Sequence, residues 1–364
     1  MLMVVFVHTT AQFSHLFSPN TIQHRIYHFF NNIVRVESGI FIMLVGIVFF
    51  YNYQNRNFLS KDNLFTYFKR RVVYILIPYI IWSLIYEVDA IYHGLRVFDA
   101  EGILDRILTG GSKYQLYFIF LIVQFYLILP IVITITQKSA FLRKYLWAFG
   151  VGIEMIYFIV NMKYRLTIIP FFPNLFGAFL LGGWIGLHYN EIKAKMTKMK
   201  IVVSGLGFLL TGVPYVLIRY QNAFNERVPI PENLYKAFGI GFLVLGSLFF
   251  FYLCEKFVAT FSRKTTERIK SVAFYSFGFY LLHPFVLFYV MELIPTRGMN
   301  ISWHITIALQ YTLTVIVCYF TIWVFHHFVP LAGFLFGKLP KTSPLFWQAG
   351  KEEPIHKNTY AKHE

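Results

Sequence analysis

Apolar residues in this chain run in long blocks, without the strict alternation of a half-buried strand or the one-sided stripe of a soluble helix. Ten such blocks can be marked, roughly at 1–18, 33–53, 72–94, 114–137, 144–162, 166–189, 201–218, 235–254, 272–294 and 304–336. Each approaches the ~20 residues that a helix needs to cross the hydrocarbon core. A backbone in lipid must satisfy its own hydrogen bonds, so blocks of this length predict helices. The pattern predicts an all-α polytopic membrane protein with about ten transmembrane helices. The last block is long enough to span and then continue along the interface. The first lacks the basic start and small-residue cleavage site of a signal peptide. No internal repeat divides the chain, so residues 1–339 read as one membrane domain and 340–364 as a flexible cytoplasmic tail.

The polar residues between the blocks give the direction. Of 33 Lys and Arg, 22 fall in the connections after the second, fourth, sixth and eighth blocks and in the C-terminal tail. Ten fall in the alternate connections, and Arg35 alone sits at the edge of a block. Positive charge marks the cytoplasmic side, so both termini are expected there.

Composition narrows the classes further. Hydrophobic residues make up 57% and charged residues 14%, against about 25% charged in soluble domains. The net charge of +16 could suggest nucleic acid, but the basic residues lie in short loops beside apolar spans. That placement serves topology and anionic lipid, and nucleic acid is excluded as a partner. Cys254 and Cys318 lie in or beside apolar blocks with no CxxC spacing, which reads as buried thiols acting as small hydrophobes. No metal site is expected.

Ionisable residues at membrane depth are costly, which makes each a functional candidate. His8 follows the run MLMVVFV inside the first block, either satisfied by a neighbouring helix or available for chemistry. Glu37 lies two residues from Arg35, where local pairing near the outer interface would explain both. Glu154, inside LWAFGVGIEMIYFIV, has no basic neighbour in its own segment and must be paired across the bundle or protonated. Glu87 and Asp89 are expected to face outside water, and His326 and His327 the cytoplasmic interface. His283 precedes Pro284 in YLLHPFVL; the proline frees a carbonyl in the preceding turn, and such breaks often line a cavity.

The run YFKRRVVYILIPYIIWS enters the third block from the cytoplasm. It places Lys69, Arg70 and Arg71 at an expected helix start, where the dipole disfavours cations. Lipid headgroups or a phosphorylated ligand would offset this, since guanidinium groups bind phosphate oxygens in a bidentate way. No nucleotide loop, HExxH, GxSxG or CxxC pattern occurs, and GAFLLGGWIG reads as close helix packing. On these grounds a transporter and a membrane transferase fit equally well.

Five stretches in register resemble the acyltransferase-3 family of integral membrane acyltransferases: VVFVH, FIMLVG, FKRRVVYILIPY, YQLYFIFLIVQFYLILP and YSFGFYLLHPFVL. The resemblance covers nearly the whole chain. Within the family it is to the intercellular adhesin biosynthesis protein C type, chiefly through RVVYILIPYI and the YLLHP segment. It implies transfer of an acyl group, acetyl or succinyl, from cytosolic acyl-CoA to a hydroxyl of an extracytoplasmic polysaccharide. Acyl-CoA is then a donor substrate, and the carbohydrate acceptor, membrane lipid and a glycan synthase complex are the expected partners. The implied setting is a bacterial plasma membrane.

By the same resemblance, His8 is the catalytic base; Glu154, singled out by its depth and not by the resemblance, is the candidate helper. Arg70 and Arg71, with Lys69, hold the CoA phosphates. Tyr280 and His283 match a recurrent motif, and Glu37 and Gln115 are further cavity candidates. The family's arginine about eleven residues before the first-span histidine has no place in the seven residues preceding His8. A start site placed too far downstream, truncating the first helix, is the expectation. Tyr74, Val45 and Gln115 stand where the family usually has arginine, serine and histidine, which predicts an altered donor or acceptor preference. The adhesin-type relatives leave a second class open, a glycan or small-anion translocator.

Overall fold

The computed structural model describes residues 1–56, 60–167, 171–296, 301–341 and 345–349. Among these residues there is no strand, and eight helical stretches are long and apolar enough to cross a membrane. The protein is an all-α polytopic membrane protein.

The helices follow the chain in order. α1 (Leu2–Thr10) and the one-turn α2 (Phe13–Leu16) lead to α3 (Ile22–Ile33), which joins α4 (Glu37–Tyr53) through a 3-10 turn at Val34–Val36. α5 (Lys61–Arg71) passes through a π-helical turn at Val72–Leu76 into α6 (Ile77–Tyr92). α7 (Ala100–Thr109), α8 (Leu116–Lys138) and α9 (Ala140–Tyr164) come next, then α10 (Phe176–Leu187) and α11 (Tyr189–Ala194). α12 (Lys198–Phe224), α13 (Glu232–Thr260), α14 (Arg263–Ala273), α15 (Ser276–Leu293), α16 (Ile301–Phe328) and the short α17 (Ala332–Phe336) complete the order.

Two of the ten expected spans are too short here to cross alone. The first block forms α1 and α2, and the sixth a 3-10 turn at Phe172–Leu175 followed by α10. The reason for the second is packing. α10 is buried almost all round, so its apolar run covers a core face as well as membrane depth. Its glycines let it lie directly on α4: a Cβ on Gly182 would collide with the Met43 carbonyl, and one on Gly46 with the Phe179 carbonyl. Backbones approach this closely only across small residues.

α4 and α8 hold the centre. Phe41 meets Phe118 with ring centroids 6.1 Å apart, and Phe49 meets Tyr126 at 5.1 Å. Eight residues on one helix match eight on the other, so the two run in the same direction. Two even-numbered spans should do so, and the alternation of basic loops agrees.

Lys69, Arg70 and Arg71 do not start a helix. They occupy the last turn of α5, whose first turn holds Asp62. The helix begins eleven residues earlier than the apolar pattern suggests, because its first eleven residues are amphipathic and polar. Because α5 runs on through the π-helical turn into α6, these cations stand inside a continuous helix, and the dipole conflict expected at a helix start does not arise. In the described part of the C-terminal segment, Phe346 N–H donates to Tyr319 Oη at 2.8 Å and Trp347 packs on Phe320. Residues 342–344 and 350–364 of the expected flexible tail lie outside the described residues.

Candidate functional site

A cavity of about 350 Å³ opens beside His8, lined by Arg35, Glu37, Ser38, Tyr114, Gln115, Tyr117 and Tyr280 with Val4, Phe41 and Phe118. Four elements supply it: α1, the α3–α4 junction, the start of α8, and α15. His8 is half-buried, and its ring makes no hydrogen bond to the described residues. Its ring centroid lies 4.3 Å from that of Tyr114 and 5.4 Å from that of His283.

Local sequence explains how His283 is held. Pro284 has no N–H to give to the Tyr280 carbonyl four residues back. That carbonyl, with the Phe279 carbonyl, lies 3.0 Å from His283 Nδ1. Nδ1 is therefore the protonated nitrogen, and Nε2 keeps its lone pair. Nε2 is buried without a partner, as are Glu37 Oε2 and both side-chain polar atoms of Gln115. Buried polar groups are nearly always satisfied, so a cluster of exceptions around one void marks a place where a ligand can complete the bonding. Tyr280 is fixed by a hydrogen bond to the Gln115 carbonyl.

Two supports position these groups. Asn31 Nδ2 donates to the Val7 carbonyl at 2.6 Å and to Thr10 Oγ1 at 2.8 Å, while its Oδ1 accepts from Arg35 at 3.3 Å. This ties α1, and hence His8, to Arg35. On the expected outer side, Glu87 accepts from Arg96 at 2.5 Å and from Arg106 Nε and Nη2 at 2.9 Å each. Arg96 also donates to the Ser112 carbonyl at 3.3 Å, which pins the loop carrying Tyr114 and Gln115. The bond to Glu87 raises the Arg106 pKa. Glu87 thus does not face water as expected; it is buried and saturated by two arginines from later in the chain.

A second station lies toward the basic face. The Arg71 guanidinium sits 4.0 Å from the Tyr67 ring centroid and 4.8 Å from that of Phe49, with Tyr53 and Tyr126 also within 6 Å. It donates to the Tyr67 carbonyl at 3.2 Å and Tyr53 Oη at 3.3 Å. Planar guanidinium stacking of this kind suits Arg and not Lys. Lys69 and Arg70 are exposed beside it.

The remaining candidates separate. Glu154 is not in the His8 cavity: Lys236 Nζ binds Oε1 at 2.8 Å and Gly177 N–H donates to Oε2 at 3.0 Å, so it is paired across the bundle. Glu37 and Arg35 form no ion pair among the described residues; Arg35 turns to Asn31, and both line the cavity. His326 is not simply interfacial, since it bridges Tyr275 Oη and the Pro340 carbonyl at 2.9 Å each. Sequence reasoning missed Arg35, Ser38, Tyr114 and Tyr117 as cavity residues. Arg35 carried a signal, being the one cation that fits neither set of loops.

Taken together, these features define a polytopic membrane protein with a histidine-bearing cavity inside the bundle and a separate arginine station toward its basic face. The acyltransferase-3 family model, described as an acyltransferase domain, matches residues 1–327, and the chain belongs to that family. A probable poly-beta-1,6-N-acetyl-D-glucosamine export protein of Staphylococcus aureus (strain MSSA476) is 24% identical over 293 residues, covering 75% of this chain and 77% of the relative. One from Staphylococcus epidermidis is 25% identical over 271 residues, covering 71% and 70%. No solved structure matches the chain.

Proposed function

We propose that the protein is a membrane acyltransferase that moves an acetyl or succinyl group from cytosolic acyl-CoA to a hydroxyl of a cell-surface or exported polysaccharide. The observation that carries this reading is the position of His8. It lines a cavity, has no hydrogen bond of its own among the described residues, and is surrounded by unsatisfied donors and acceptors.

In this reading His8 removes the proton from the acceptor hydroxyl as that oxygen attacks the thioester carbonyl carbon. The carbonyl oxygen takes up negative charge, and the Gln115 amide and Arg35 are the donors available to meet it. Collapse of the intermediate breaks the carbon–sulfur bond, and the proton on His8 passes to the departing thiolate. His283, with Nδ1 tied to the backbone, supplies an acceptor at Nε2 that would hold His8 in one tautomer. Glu37 would stabilise positive charge on His8 during the transfer.

Arg71, with Arg70 and Lys69, would hold the CoA phosphates. Phe41 at the cavity and Phe49 at the Arg71 station are eight residues apart on α4, about 12 Å at the helical rise. The pantetheine arm of a donor held at Arg71 would cover that distance and deliver the thioester to His8.

A second reading, export of a polysaccharide without transferase chemistry, is supported by the names of the relatives. The cavity volume argues against it as the main role, since ~350 Å³ lies at the small end of ligand pockets and suits one sugar hydroxyl and a thioester better than a polymer path. The test measures acyl content per sugar and total extracellular glycan in cells carrying wild type, His8→Ala or no protein. Acylation lost while export continues supports the transferase. Export lost with acyl content per sugar unchanged supports the exporter.

A further inference from the structure

A second pair of cavities, adjoining at two shared lining residues, lies away from His8, the first among α9, α10 and α13 and the second reaching α11 and α12. The first, of about 540 Å³, is lined by apolar side chains including Leu181, Ile240, Val244 and Leu248, with Trp147 and Trp184. The second, of about 410 Å³, shares those two tryptophans and is lined by Lys144, His188, Lys195 and Lys200, with Glu191 its acidic member. Both volumes lie within the range of ligand sites, roughly 300–1,000 Å³.

The order of chemistry along this groove is that of a lipid. An apolar trough passes two indole rings, which favour the membrane–water boundary, and ends in a cationic pocket. Lys195 is occupied by Glu191 at 2.8 Å. Lys144 and Lys200 form no ion pair among the described residues, and Lys144 sits 5.2 Å above the Tyr145 ring. The helix path helps to form the mouth: α9 departs from helical geometry at Tyr145 (φ −110°, ψ 19°), between Lys144 and Trp147. All three lysines belong to the connections that the charge asymmetry assigns to the cytoplasm. We propose that this groove binds an anionic phospholipid of the cytoplasmic leaflet. One acyl chain lies between α9 and α13, and the phosphate lies at Lys144 and Lys200. Basic pockets between membrane helices on this side are known to select anionic headgroups.

Trp184 and Trp147 are reporters already in place. The full-length protein is reconstituted in dioleoylphosphatidylcholine bilayers containing increasing fractions of brominated phosphatidylglycerol or brominated phosphatidylcholine, and tryptophan quenching is measured. The expected result is a preference for phosphatidylglycerol on the order of twenty-five-fold, from two lysines at about fivefold each. That preference disappears in the Trp147→Phe/Trp184→Phe protein, falls to near unity in Lys144→Ala/Lys200→Ala, and persists in Lys144→Arg/Lys200→Arg. Equal quenching by the two lipids in wild type overturns the proposal, as does a preference that survives Lys144→Ala/Lys200→Ala or the loss of both Trp147 and Trp184. A preference abolished by millimolar inorganic phosphate at constant ionic strength identifies a bare-anion site and overturns the lipid assignment.

Discussion

Glu154 and Glu37 are both carboxylates inside the bundle, and they have opposite surroundings. Every oxygen of Glu154 is met, by Lys236 on α13 and by the Gly177 N–H at the start of α10. Glu37 has a buried oxygen with no partner, and it faces a cavity shared with His8. A buried ion pair with its remaining valences filled is an architectural feature that specifies how helices meet. An acid left half-satisfied beside a void has capacity for something that is not part of the chain. Membrane depth alone therefore does not distinguish a site from a strut; unmet hydrogen-bonding capacity at a cavity does.

The comparison can be broken most directly at the cavity. His8→Ala is expected to lower acyl transfer by about 10²–10⁴-fold, the usual range for a lost general base, while the amount of protein in the membrane stays at the wild-type level. Acyl content of extracellular glycan, read beside immunoblots of the membrane fraction, checks both parts. Undiminished transfer would remove His8 as the base.

The strut should respond in the other way. Lys236→Met strands the Glu154 carboxylate and is expected to destabilise the bundle by about 3–5 kcal/mol, with a matching fall in thermal unfolding temperature in detergent. Glu37→Gln keeps the shape and should leave that temperature nearly unchanged while slowing transfer. If the two variants exchange these effects, the distinction drawn here fails.

A finer division concerns the arginine station. Arg71→Lys keeps the charge but loses the planar stack among Tyr67, Phe49 and Tyr126. The expectation is a rise in the KM for acyl-CoA of roughly tenfold with kcat little changed, the pattern of lost uniform binding. Steady-state kinetics of the reconstituted protein decide this, and a fall in kcat at constant KM would move Arg71 toward the chemistry.

The smallest effect is expected at Pro284→Ala. The new N–H can compete for the Tyr280 carbonyl, which now receives His283 Nδ1, and the imidazole loses part of its anchor. Transfer should fall by a few-fold, with a change in its pH profile that a merely structural proline would not produce.

The helical membrane architecture was legible because lipid leaves few alternatives. Blocks of some twenty apolar residues and alternating basic loops follow from the cost of exposing backbone and charge to hydrocarbon. His8, Arg71 and the YLLHP segment were legible because their neighbours form patterns in register. The two short spans were not. Whether an apolar run such as Phe176–Leu187 crosses alone or packs inside the bundle depends on what lies against it, here the backbone of α4 at Gly46.

By itself the sequence determined that this chain enters the membrane as helices, which loops carry its positive charge, and which residue types lie at depth. Hydropathy and charge are local properties, and they act on each segment before it meets another. The tertiary structure alone decided which deep polar groups are paired. Glu154 found Lys236 82 residues away, Glu87 found Arg96 and Arg106, and Arg35 turned from its near neighbour Glu37 to Asn31. Such pairings depend on helix rotation and side-chain reach in three dimensions, and the same geometry leaves Glu37, Gln115 and His283 with open valences around His8.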